Sequence, residues 1–186
     1  RSRRRTERVA DPARIATPAS SAKGVDQRVE SLEAHCMALL LFRPEAIYEL
    51  ERELKKYNLD KFTQNDFVSV ENQTISRLLL AGLEQDEQDV MPYVRAHLDP
   101  GLEERFQGLM AGDSFTRSNP AKVQQDLLRV LVSLRLININ AALSQLRFLQ
   151  EDPELPAEDK NDLGSQILQL TATRGKLDKV MIRPTY

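Results

Sequence analysis

Trp is absent, and one Cys, two His, seven Gly and 5% aromatics leave several kinds of protein out of reach. A single cysteine, Cys36, cannot close an internal disulfide, so no disulfide framework is available and nothing points to an oxidising compartment. His35 and His97 are the remaining candidate soft ligands, too few and too far apart for a metal constellation, and neither has an obvious orienting partner. No apolar run approaches the ~18 residues of a membrane span, and no signal peptide is visible, so a cytoplasmic protein is expected. GxxxxGK[ST], GxGxxG after a strand, HExxH and GxSxG are all missing. The expectation is a chain that is not itself an enzyme and binds no cofactor or metal.

What is present is aliphatic and charged. Over 186 residues, 41% hydrophobic and 29% charged is a globular balance, and scarce aromatics favour helices packed through aliphatic stripes. The length suits one sizeable core or two small helical subdomains. The net charge of -2 is unevenly spread: residues 1–23 carry seven Lys/Arg against Glu7 and Asp11, leaving 19 basic and 26 acidic residues elsewhere. The basic end offers weak electrostatic contact with nucleic acid, whereas the acidic remainder is a poor duplex-binding surface.

Residues 1–24 mix Arg, Pro, Ser and Ala without a period and read as a disordered basic linker. Lacking an initiator Met and starting in this stretch, the chain reads as the C-terminal piece of something longer. From Asp26, Val29, Leu32, Cys36, Leu39 and Leu40 recur at helical spacing. Pro44 suits the first turn of the next helix, with Ile47, Leu50 and Leu54 on one face. Ile75, Leu78 and Leu79 mark a third helix. Asp89 caps a short fourth, and Asp99-Pro100 opens a fifth carrying Leu102, Phe106, Leu109 and Met110. Residues 25–113 are thus expected to form a bundle of about five helices. The acidic run Glu84, Asp86, Glu87, Asp89 lacks the glycine and distant Glu of a calcium loop and reads as a solvated helix end.

Asn119-Pro120 starts a much longer helix. Val123, Leu127, Val130, Leu134, Ile137 and Ala141 step by 4,3,4,3,4, and a second stripe, Leu128, Val132, Ile139 and Leu146, lies about a quarter to a third of a turn away. Two apolar faces require two neighbours. After "EDPELPAEDK", Leu163, Ile167, Leu170, Leu177 and Met181 repeat the rhythm. Residues 119–183 are expected to form an antiparallel helical hairpin, one stripe closing it and the other docking on the bundle. The fold class is all-α: a small helical bundle followed by a long antiparallel hairpin.

The chain's end poses the sharper question. Val180, Met181 and Ile182 sweep about 200° of helix circumference, more than one neighbour covers. Leu168 and Ile182 fall away from the hairpin stripe, on a face shared with Thr171 and Lys179. Arg174, Lys176, Lys179 and Arg183 suit a helix C-terminus through the macrodipole, and beside apolar residues they also form the rim of an interaction site. The candidate partner-binding residues are Leu168, Thr171, Arg174, Lys176, Lys179, Val180, Ile182 and Arg183.

A basic Pro-containing linker, a bundle opening "VESLEAHCMALLLFRPEAIYEL", a "DKFTQNDF" entry to the next helix and a terminal hairpin together resemble the C-terminal helicase-binding region of bacterial DNA primases. The resemblance covers residues 26–183. It implies docking on the N-terminal domains of the hexameric replicative helicase at the bacterial replication fork, mainly through the hairpin, with the bundle modulating helicase activity. It also implies that a polymerising site and a zinc ribbon would lie upstream of these residues. The N-terminal domain of the helicase itself resembles the first subdomain of that region and stays open as an alternative. So does a helical nucleic-acid-binding or dimerisation module using the basic tail.

Overall fold

The computed structural model describes residues 18–85, 88–111 and 119–182, with backbone alone for 18–23. All regular structure among the described residues is helical. It comprises α1 (Pro18–Phe42), α2 (Ala46–Lys56), α3 (Val70–Glu84), α4 (Val90–His97), α5 (Glu103–Met110), α6 (Pro120–Gln150) and α7 (Ala157–Ile182), with 3-10 turns at Gln64–Asp66 and Pro100–Leu102. The protein is all-α. Helix α1 starts at Pro18, so residues 18–24, read from sequence as linker, form its first two turns. That stretch of Ala, Ser and Lys has adequate helix propensity but no apolar stripe for a periodicity argument to find. Residues 1–17 lie outside the described ones.

The helix starts follow local chemistry. Asp99 Oδ1 accepts from the Gly101 amide at 2.8 Å and Asn119 Oδ1 from the Ala121 amide at 3.0 Å, each followed by proline at the first helical position. Ser69 caps α3. Asp89 occupies the N-cap of α4, but its side chain makes no capping bond, contrary to the sequence reading.

One hydrophobic cluster runs through the molecule. It joins Cys36, Met37 and Leu40 of α1, Leu50 and Leu54 of α2, Ile75 and Leu79 of α3, Phe106 of α5, Leu127, Leu131 and Leu134 of α6, and Leu177 of α7. Phe62 and Phe67 meet edge to face at 5.8 Å within it. Helix α6 packs on α1 and α2 as well as on α7, so it shares one core with the helices that precede it.

Two polar groups hold the loop between α2 and α3 against this core. Glu33 of α1 is buried, and its carboxylate accepts from the amides of Val68 and Ser69 and from Asn72 Nδ2 at 2.8 Å. Arg135 of α6 grips Asp66 in a bidentate pair, Nε to Oδ1 at 2.6 Å and Nη2 to Oδ2 at 2.9 Å. The same guanidinium donates to the carbonyls of Asp60 at 2.7 Å and Lys61 at 2.9 Å.

The two stripes of α6 have separate neighbours. Val123, Leu127, Val130 and Leu134 are buried within the core that α1 and α2 share. Helix α7 lies on the other stripe and runs opposite to α6. Gly164 sits against Gln150, Thr173 and Leu177 share a cleft with Arg135 and Ile139, and Val180 and Met181 share one with Leu128 and Arg129.

By length and composition α6 is apolar enough to cross a membrane, with a window of mean hydropathy 1.5. This corrects the sequence expectation that nothing in the chain approaches a span. Here the helix sits between α1 and α7 and carries the ion-paired Arg135.

Candidate interaction surface

Helix α7 has an inner and an outer side. Leu163, Ile167, Leu170, Thr173 and Val180 are half-buried and Leu177 fully buried, all on the side that meets α6 and the 58–66 loop. Leu168, Thr171, Ala172, Gly175, Lys179 and Ile182 are exposed, with Leu168 at 73% and Ile182 at 77%. Five of these, Leu168, Ala172, Gly175, Lys179 and Ile182, step by 4,3,4,3, which aligns them along one edge of the helix. A Cβ added at Gly175 would meet nothing within 4 Å, so the middle of this edge is low and open. Two large aliphatic side chains flank a shallow saddle, with one ammonium beside it.

Of the residues expected to bind a partner, Leu168, Lys179 and Ile182 come together on this edge, and Thr171 is exposed beside it. Arg174 is exposed but turns along its own helix, 3.8 Å from Asp178. Lys176 reaches the other way and donates to the Asn58 carbonyl at 3.1 Å, helping to pin α7 to the loop after α2. Val180, also expected to bind a partner, is partly buried against the core rather than on the outer edge. Its neighbours explain this: it faces Leu128 across a cleft of ≈ 180 Å³. Met181, expected on the buried stripe, is 41% exposed at the lip of that cleft. Arg183 lies outside the described residues. The apolar triplet at the end of α7 therefore spreads over three environments: Val180 inside, Met181 at the lip, Ile182 outside.

Sequence reasoning missed Ala172 and Gly175. Small residues carry no hydrophobic signal of their own, and only the 4,3 spacing between Leu168 and Ile182 marks them.

No family model, curated protein or solved structure matches this chain.

The other polar residues singled out from the sequence have structural roles. His35 Nε2 lies 2.8 Å from Asp126 Oδ2 and ties α1 to the start of α6, so it has the partner the sequence did not reveal. His97 Nδ1 is 2.9 Å from the Tyr93 carbonyl, and its ring stacks on Tyr93 with centroids 4.2 Å apart. Cys36 is wholly buried, and that burial, followed by the nearby Asp66 and Glu33 charges, pushes its thiol far above the ordinary range. A thiol held neutral in this way packs rather than reacts. In the acidic run, Glu84 ends α3 and Asp89 precedes α4, while Asp86 and Glu87 lie outside the described residues. Among the described residues no three His, Cys, Asp or Glu side chains gather as a metal site.

Proposed function

We propose that this chain is the non-catalytic, helicase-docking region of a bacterial DNA primase. In this role it would contact the N-terminal domains of the hexameric replicative helicase, recruit primase to the fork and modulate helicase activity. The observation that carries the reading is the outer edge of α7. Leu168 and Ile182 stand in solvent at heptad spacing, with Lys179 beside them, on a helix whose inner side is already occupied. An exposed aliphatic edge with a basic rim is a surface suited to burial against another protein. The resemblance of residues 26–183 to the primase region names that protein.

Titration calorimetry of the whole chain against the replicative helicase of the same organism tests this. Saturable binding is expected. Ile182→Asp should weaken it by at least ~2 kcal/mol, roughly 30-fold, as for a central anchor, with the circular-dichroism melt unchanged. Deleting residues 175–186 is a poorer test, since it would take the buried Leu177 out of the core. Absence of binding by a folded sample would overturn the reading.

A further inference from the structure

A groove of ≈ 450 Å³ lies where the early turns of α1, the loop entering α3 and the middle of α6 meet. Its aliphatic floor is Val29 and Ile137, with Val68 and Ala141 exposed at the lip; Asp26 and Glu30 also line it, as does Arg105, which is turned to Asn72 and Glu71. Ile137 and Ala141 continue the α6 seam just beyond Leu134, where the seam emerges from the core. Other carboxylates nearby are engaged: Glu71 lies 3.9 Å from Arg105, and Glu33 holds the Val68 and Ser69 amides. Asp26 and Glu30 are exposed and meet no cation among the described residues. Such a groove fits an aliphatic side chain accompanied by a positive charge.

The end of α7 has that chemistry. Ile182 is 77% exposed, and Lys179 is exposed without an acidic partner among the described residues. Its own groove is out of reach. The end of α7 lies beside Lys122–Arg129 of α6, about 20 Å along that helix from Ile137 and Ala141 at 1.5 Å per residue. A second copy has no such constraint.

We propose that the α1/α3/α6 groove receives the α7 end of a second copy of this chain, with Ile182 on the aliphatic floor and Lys179 facing Asp26 and Glu30. The two patches differ, so the contact is head-to-tail and each added copy presents a fresh groove or a fresh α7 end. Association then grows with concentration and weakens with salt. It would occupy the same α7 edge assigned above to helicase docking, yet it does not depend on that assignment.

Sedimentation velocity on the full chain, over a concentration series at low and high salt, tests the contact. The weight-average sedimentation coefficient of the parent should rise with concentration, less so at high salt. Lys179→Glu and Glu30→Lys alter exposed residues and should each weaken association at least tenfold while the circular-dichroism spectrum stays unchanged. Mixing the two variants, or combining both changes in one chain, should restore it, because matched charges then face each other again. A parent that stays monomeric, association that neither reversal moves, or a mixture that remains monomeric would each overturn the proposal.

Discussion

The two halves of α6 carry one apolar rhythm into different surroundings. Val123, Leu127, Val130 and Leu134 are buried, whereas the same face, continued through Ile137, Ala141 and Phe148, opens to solvent until Phe148 is 77% exposed. Nothing in the spacing separates the halves. The difference lies in what stands opposite: α1 and α2 join α6 in the core along the first half, while around Ile137 and Ala141 the α1 side opens as a groove. A 4,3 spacing reports which residues share a face. Whether that face is covered depends on how far the neighbouring elements extend, and that is a property of the assembled fold.

Arg135 stands where the halves meet, and its loss should break the comparison most severely. Its side chain is 13% exposed and that of Asp66 9% exposed. Arg135→Ala would leave a nearly buried carboxylate unpaired and take donors from the Asp60 and Lys61 carbonyls. A cost of about 3–5 kcal/mol is expected in urea or thermal unfolding. A smaller and more discriminating contrast is Leu134→Ala against Phe148→Ala. The first creates a cavity in the covered half and should cost about 2–5 kcal/mol, as should Leu131→Ala. The second trims a solvent-facing ring and should stay within about 0.5 kcal/mol. Equal losses at Leu134 and Phe148 would mean that the halves are equally covered in solution.

The features legible in the sequence were those set by nearby residues. Asp99-Pro100 and Asn119-Pro120 cap helices because the side chain and the amide it serves are two residues apart. The buried faces of α2 and α6 follow their periodicity for the same reason. Glu33 and Arg135 were not legible. Glu33 falls on the apolar stripe between Val29 and Cys36, which marks it as unusual, but its partners are 35 to 39 positions away. Arg135 meets Asp66 across 69 positions, a separation at which one sequence holds no pairing signal. The α7 edge was half legible: its large residues stood out, while Ala172 and Gly175, which shape its saddle, did not. The partial burial of Val180 was not legible either, because it depends on a facing residue, Leu128, that periodicity does not locate.

Cys36 allows the finest test, since it lies in the covered region that begins the comparison. Its thiol has an ordinary pKa near 9.0 when the chain is unfolded and is pushed well above that by burial in the fold. Below pH 9 both states hold the proton, and the residue contributes its full stabilisation. As pH rises past 9, the unfolded chain releases the proton while the folded one keeps it, so stability falls with a slope approaching 1.4 kcal/mol per pH unit. Lys and Tyr residues also titrate there, so the useful quantity is the difference between the parent and Cys36→Ala. The parent's stability advantage over Cys36→Ala should shrink by about 1.4 kcal/mol between pH 8 and pH 10. An unchanged gap would mean that the thiol ionises as readily in the folded protein as in the unfolded chain. That would require water to reach the covered face of α1, and the contrast between a closed first half of α6 and an open second half would then be one of degree.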